Sequence, residues 1–92
     1  MQVRWTHSAV ADLTGIFDYL SEHQSSDLAE RVIRAVFEAA QSLGAFPKKG
    51  RTGREPDTRE LVIQRYPYIV IYTLKEDALE ILTVLHTSRK FP

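Results

Sequence analysis

The stretch YIVIYTLKEDALEILTVLH, residues 68–86, determines the class of fold that this chain can adopt. Residues 68–74 and 79–86 are rich in β-branched and aromatic side chains, which favour extended backbone. The polar residues 75–77 between them are typical of a short hairpin connection. We therefore predict two adjacent antiparallel strands, and a third strand at 61–63, where the sequence is LVI.

The first half of the chain has a helical period. Apolar residues recur at three-to-four spacing and predict a first helix over about 8–22, with Thr6 or Ser8 as its N-terminal cap. A second pattern follows the polar break EHQSS, with Ser26 as cap and Gly44 placed to end the helix.

These elements together predict an α+β domain. At 2–5 the sequence QVRW alternates polar and apolar residues, which favours an edge strand before the first helix. We expect an N-terminal strand and a two-helix antiparallel hairpin packed on a three- to four-stranded antiparallel sheet, whose other face is partly open to a partner. The length of 92 residues predicts a single domain, residues 1–92.

The composition excludes several classes of protein. Hydrophobic residues make up 43% and charged residues 26%, which is typical of a folded domain rather than a disordered chain. The absence of cysteine excludes disulfides, zinc–thiolate sites and thiol nucleophiles. No apolar run approaches the roughly 18 residues of a membrane span, and the start lacks the apolar region of a signal peptide. We expect a cytoplasmic protein with no membrane association.

Motifs for metal, cofactor or phosphate-loop chemistry are absent. The three histidines, His7, His23 and His86, fall in separate elements without ligand spacing, so we expect no metal and no cofactor. Glycine-rich phosphate loops and a nucleophile elbow are missing as well.

Positive charge is concentrated between residues 48 and 65, where six basic residues face three acidic ones, although the net charge of the chain is zero. We name residues 50–60, GRTGREPDTRE, the basic loop. Arginine offers a planar fork of donors suited to phosphate or carboxylate, so a recognition surface is favoured over a merely solvated face with local ion pairs. The candidate target-binding patch consists of Arg51, Arg54, Arg59, Arg65 and Arg89.

His86 and the tyrosines have two interpretations each. A half-buried structural role is favoured for His86, while its proximity to Arg89 keeps a catalytic role open. An aromatic stripe of Tyr66, Tyr68, Tyr72 and Phe91 suits base stacking, yet packing of Tyr68 and Tyr72 under the helices is the stronger expectation.

Five pieces of sequence in one order resemble a known family. They are TxSAxxDLxxIxxYL from Thr6 to Leu20, then FPxxGRxGR, TREL, YIVIY and ILxVLHxSRxFP, the last ending at Phe91 and Pro92. Over nearly the whole chain this pattern resembles the RelE/ParE superfamily of type II toxin–antitoxin toxins, often called plasmid stabilisation proteins. The resemblance implies a helical hairpin on an antiparallel sheet and a cognate antitoxin whose extended C-terminal segment wraps the toxin.

The resemblance leaves two mechanisms. RelE-like members cut mRNA on the ribosome with basic residues and a general acid/base, for which His86, Arg89, Arg59 and Arg65 are the candidates here. ParE-like members inhibit DNA gyrase and are not enzymes. The REL, YIVIY and LHxSR segments resemble the ParE branch, and the late tyrosine common in ribonucleases is missing. We expect a gyrase-inhibiting toxin without catalytic residues; a ribonuclease and a non-toxic protein-binding remnant are the alternatives.

Overall fold

The computed structural model describes residues 1–88 in full and the backbone of Arg89. Along the chain it contains β1 (Gln2–Trp5), α1 (His7–His23), α2 (Ser26–Ser42), β2 (Arg51–Thr52), β3 (Thr58–Val62), β4 (Tyr68–Leu74), β5 (Ala78–His86) and a short 3-10 helix (Thr87–Arg89). The α+β class is confirmed.

The sheet is larger than predicted and is mixed rather than antiparallel. Its strand order is β1-β5-β4-β3-β2, with β1 parallel to β5 and all other neighbours antiparallel. The predicted edge strand at 2–5 is present, but the count of three to four strands is wrong. The unpredicted strand, β2, has two residues, which is too short to show a period of two.

Side-chain oxygens cap both helices. Thr6 accepts a hydrogen bond from the backbone N–H of Ala9 at 3.1 Å. Ser25 accepts one from Leu28 N–H at 3.0 Å, so the second helix is capped one residue earlier than the predicted Ser26. These bonds satisfy amides that have no partner within the helix, and they fix where each helix begins.

The helical hairpin covers one face of the sheet. Tyr68, Val70 and Tyr72 of β4 alternate toward the helices and belong to the main core, so the prediction that they pack under the helices is confirmed for both tyrosines. Ile69 and Ile71 point to the opposite face, because successive side chains of a strand alternate. The fold therefore has one face covered by helices and a second face without them, on which Ile69 and Ile71 are buried.

A bulge interrupts the central pair of strands. Tyr72 pairs with Ile81 and Ile71 pairs with Thr83, so Leu82 has no opposite residue. Such a bulge leaves a local backbone group outside the ladder and bends the strand. Helix α1 lies against β5, the strand that carries the bulge.

Candidate functional site

The basic loop is fixed to the core by a buried tyrosine. The hydroxyl of Tyr72 accepts a hydrogen bond from Gly50 N–H at 2.9 Å and donates one to the carbonyl of Pro47 at 2.8 Å. Tyr72 itself is fully buried in the centre of the sheet. The start of the loop is thus attached to one of the most deeply buried side chains of the fold.

Glu60 organises the middle of the basic loop. Its side chain is 6% exposed, and Oε1 accepts hydrogen bonds from Arg51 Nη2 at 3.0 Å and Nε at 3.3 Å. Oε2 accepts one from the backbone N–H of Arg54 at 3.2 Å. A buried carboxylate needs such partners, since an unpaired charge is costly to desolvate. Glu60 therefore draws Arg51 and the chain at Arg54 together.

Arg59 lies on the other face of the sheet from Arg51. Arg51 pairs with Glu60 across the strands, whereas Arg59 pairs with Thr52 and Tyr72, and neighbouring residues of a strand face opposite ways. Its guanidinium donates to the carbonyl of Gly50 at 2.7 Å and to that of Lys48 at 3.4 Å. Arg51 and Arg59 thus both hold the loop, from opposite sides.

The remaining predicted arginines are elsewhere. Arg65 follows β3 at the far end of the sheet, with its guanidinium carbon 5.9 Å from the centre of the Tyr66 ring. The side chain of Arg89 lies outside the described residues, as do Lys90 and Phe91. In the part of the chain that is described, the five predicted arginines do not form one cluster. Arg51, Arg54 and Arg59 belong to the same loop, although Arg59 faces the other side of the sheet, and Arg65 is separated from all three.

His86 lies beside a cleft at that far end. Its ring is edge-on to the ring of Tyr68, with 5.4 Å between centroids. Nδ1 accepts a hydrogen bond from Ser88 N–H at 3.2 Å and is 2.8 Å from Ser88 Oγ. The prediction of a half-buried histidine is wrong, since His86 is exposed. His86 belongs to the last residue pair of β4 and β5, so no further strand residues follow to cover its ring.

The cleft has a volume of about 670 Å³ and lies between α1, the start of α2 and the ends of β4 and β5. Its apolar wall includes Ile16, Leu28 and Leu85, while Tyr19 and Tyr66 contribute phenol rings. Burial raises the pKa of the nearby Tyr68 hydroxyl, with a smaller contribution from Tyr19. The cleft is suited to an apolar segment with a few hydrogen-bonding groups.

The sequence does not identify Glu60 and Tyr72 as the residues that hold the basic loop in place. Glu60 directly precedes the predicted strand at 61–63, and no local sequence signal marks this carboxylate as buried. Tyr72 was assigned to the core alone. No sequence signal shows that its hydroxyl reaches back to residues 47 and 50, because that contact depends on how the loop folds over β4.

Within residues 1–89, no group of three or more His, Asp or Glu side chains is arranged to hold a metal ion. In the same residues, neither helix is long and apolar enough to cross a membrane.

Comparisons with known proteins agree over almost the full chain. A family model described as "ParE toxin of type II toxin-antitoxin system, parDE" matches residues 3–91. The protein Y4kP of Sinorhizobium fredii is 40% identical, with 99% of this chain and 93% of the relative covered. Toxin RelE2 of Caulobacter vibrioides is 36% identical, with coverages of 96% and 97%.

Solved structures give the same result. A chain of the chromosomal ParDE toxin–antitoxin system of P. aeruginosa superimposes with a TM-score of 0.87 at 26% identity, covering 94% of this chain and 95% of that one. A chain of the RelBE2 toxin–antitoxin complex of Mycobacterium tuberculosis gives 0.66 at 25% identity, with coverages of 92% and 88%. The resemblance noted in the sequence is thereby confirmed, and this chain belongs to the ParE toxin family of type II toxin–antitoxin systems.

Proposed function

We propose that this toxin inhibits DNA gyrase through a protein-binding surface that includes the basic loop, without catalysing a reaction. The supporting observation is the separation of the candidate residues. Arg51 and Arg59 are engaged by acceptors of the chain itself at the β2 edge, and His86 is at the far end of the sheet. Cleavage of RNA needs a proton-transferring group and phosphate-binding cations around one bond. These three side chains do not surround a common point.

The second candidate is a ribosome-dependent mRNA endoribonuclease. The feature that supports it is one end of the sheet, where three side chains of neighbouring strands lie. Tyr68 begins β4, His86 ends β5 and Arg65 follows β3. A ribonuclease would use His86 as general acid or base there, with Arg65 and Arg89 at the phosphate. A protein-binding remnant of the fold is the third candidate.

The deciding experiment expresses the chain alone and measures two activities side by side. Gyrase supercoiling and cleavage-complex formation are compared with mRNA cleavage at translating ribosomes. Gyrase inhibition without RNA cleavage supports the proposal, and RNA cleavage without gyrase inhibition supports the ribonuclease. Harmless expression with neither activity supports the remnant.

His86→Gln provides the matched variant. Without proton transfer, the variant should inhibit gyrase as the parent does, because His86 is exposed and its loss opens no cavity. A loss of roughly a hundredfold or more with an unchanged melting curve would assign acid/base work to His86 and contradict the proposal.

We further propose that a cognate antitoxin neutralises the toxin in the cytoplasm by direct binding. An extended C-terminal segment would lay an amphipathic helix into the cleft at α1 and α2, add to an exposed edge of the sheet, and bring carboxylates to the arginines. Ordering such a segment costs free energy, so the interface should bury roughly 2,000 Å² or more.

Calorimetry tests this second proposal. The expected result is a strongly negative binding heat capacity, with an antitoxin tail that is disordered when free and helical when bound. A heat-capacity change near zero, or a tail that is already folded before contact, would contradict it.

A further inference from the structure

Phe46 is the most exposed large apolar side chain of the described residues. It follows α2 and is 64% exposed. With Pro47, Lys48 and Lys49 it lines a shallow hollow that is widely open to solvent and whose surface is almost entirely apolar. A single exposed apolar side chain needs no explanation by itself, so the case for a contact surface depends on how the turn is held and on the charges around the ring.

The exposure of Phe46 is imposed by the fold. Its N–H donates to the carbonyl of Ser42, and its own carbonyl accepts from Lys49 N–H. Tyr72 then holds Pro47 from the core, and Arg59 holds the carbonyl of Lys48. Because the backbone is bound at each of these positions, the ring is displayed on a rigid turn. A rigid aromatic loses little conformational entropy when a partner covers it.

The charges around the ring indicate the partner's chemistry. Lys48 and Lys49 are exposed, and neither ammonium group has an ion-pair partner among the described residues. A partner with an apolar side chain flanked by carboxylates would fill the hollow and pair with both lysines. The hollow is apolar and offers no arginine fork, which favours a protein segment over a nucleic-acid backbone.

We propose that Phe46 is the apolar anchor of the surface that binds the toxin's protein target, and that it receives an acidic segment of gyrase. This inference rests on the proposed function. The position of Phe46 supports the target over the antitoxin. It follows the C-terminal end of α2 at Ser42, whereas the cleft proposed for the antitoxin is lined by Leu28 and Val32, which lie about 15 Å or more of helix before that end. Phe46 is also continuous in sequence with the basic loop.

The test compares Phe46→Ala with Val10→Ala, which removes a similarly exposed apolar side chain from α1, 49% exposed in the parent. Phe46→Ala should weaken gyrase binding and inhibition by roughly 30-fold, as expected for a central aromatic anchor. Its thermal midpoint and antitoxin affinity should stay unchanged. Phe46→Leu, which keeps an apolar group, should retain most of the inhibition, and Val10→Ala should match the parent.

The lysines give an independent readout. The double variant Lys48→Ser/Lys49→Ser should slow association with gyrase and flatten its salt dependence while leaving the melting curve unchanged.

Four results would overturn the inference. Full gyrase inhibition by Phe46→Ala would refute it while leaving the proposed function intact, and a parent protein that does not inhibit gyrase would refute both. Loss of antitoxin affinity without loss of gyrase inhibition would assign Phe46 to the antitoxin. Equal weakening of binding to free duplex DNA would assign it to nucleic acid.

Discussion

Asp12 of α1 accepts a hydrogen bond from the backbone N–H of Val84 in β5, at 2.9 Å across 72 positions of sequence. The same carboxylate oxygen accepts from the hydroxyl of Thr83. The single hydroxyl proton of Thr6 is shared between the carbonyls of Ile81 and of the bulged residue Leu82, at 3.0 and 3.1 Å. The start of α1 thus satisfies the backbone groups that the bulge leaves unpaired, which explains why a threonine and an aspartate at this spacing belong to the first helix.

Asp12→Asn should lower the free energy of unfolding by about 1–3 kcal/mol. The amide keeps the shape of the carboxylate but loses the charge that strengthens both hydrogen bonds, and it brings an N–H group toward two donors. Urea unfolding monitored by Trp5 fluorescence measures the change. Asp18→Asn, an exposed carboxylate on the same helix, is the control and should leave the midpoint unchanged. Equal midpoints for the two variants would contradict the role of Asp12.

Glu60→Ala should destabilise the basic loop, with a loss of about 1–3 kcal/mol. The partly buried hydrogen bond from the backbone N–H of Arg54 loses its acceptor, and the guanidinium of Arg51 loses its partner. Because the Arg51 side chain is about half exposed, water replaces part of that loss. Amide hydrogen exchange at residues 51–54 should accelerate more than in β4. Glu76→Ala, in the exposed hairpin connection, is the control. Unchanged exchange in the loop would show that Glu60 does not hold it.

Two glycine substitutions should act in opposite directions. A Cβ at Gly50 would lie 2.7 Å from the Tyr72 hydroxyl and 2.9 Å from the Glu60 carbonyl, so Gly50→Ala should lower the thermal midpoint. A Cβ at Gly15 meets nothing within 4 Å, so Gly15→Ala should raise stability by about 0.5–1 kcal/mol through helix propensity. Differential scanning calorimetry compares both with the parent. A higher thermal midpoint for Gly50→Ala would contradict this prediction, because it would show that the loop can move away from the added methyl group.

Tyr68→Phe should alter stability only at alkaline pH. Burial raises the pKa of Tyr68 above its ordinary value of 10.0, so the neutral phenol is favoured in the folded state. That contribution is fully present below pH 10, and it is lost as the pH rises from there through the folded pKa. Parent and variant should therefore have similar unfolding midpoints at pH 7, and above pH 10 the parent should lose more stability. Parallel pH profiles for the two proteins would contradict this expectation.

Local chemistry made much of the fold predictable. Three features depend only on neighbours within a few residues and could therefore be predicted from the local sequence. They are the cap at Thr6, the helical period from Ala9 to Leu20 and the hairpin at 75–77. The prediction that Tyr68 and Tyr72 pack inward needed only the alternation of a strand. The family resemblance rests on the same local segments, and the comparisons confirm it.

The sequence by itself thus determined the α+β class, the helical hairpin and membership of the toxin family. Only the tertiary structure decided that β1 lies parallel to β5, that Arg51 and Arg59 hold the basic loop from opposite faces, and that Glu60 is buried beneath it. These features join residues from 9 to 76 positions apart. The periodicity of a short stretch of sequence cannot predict such long-range pairings. They are stabilised by covering the apolar sheet and by satisfying its backbone hydrogen-bonding groups, which depends on the whole fold.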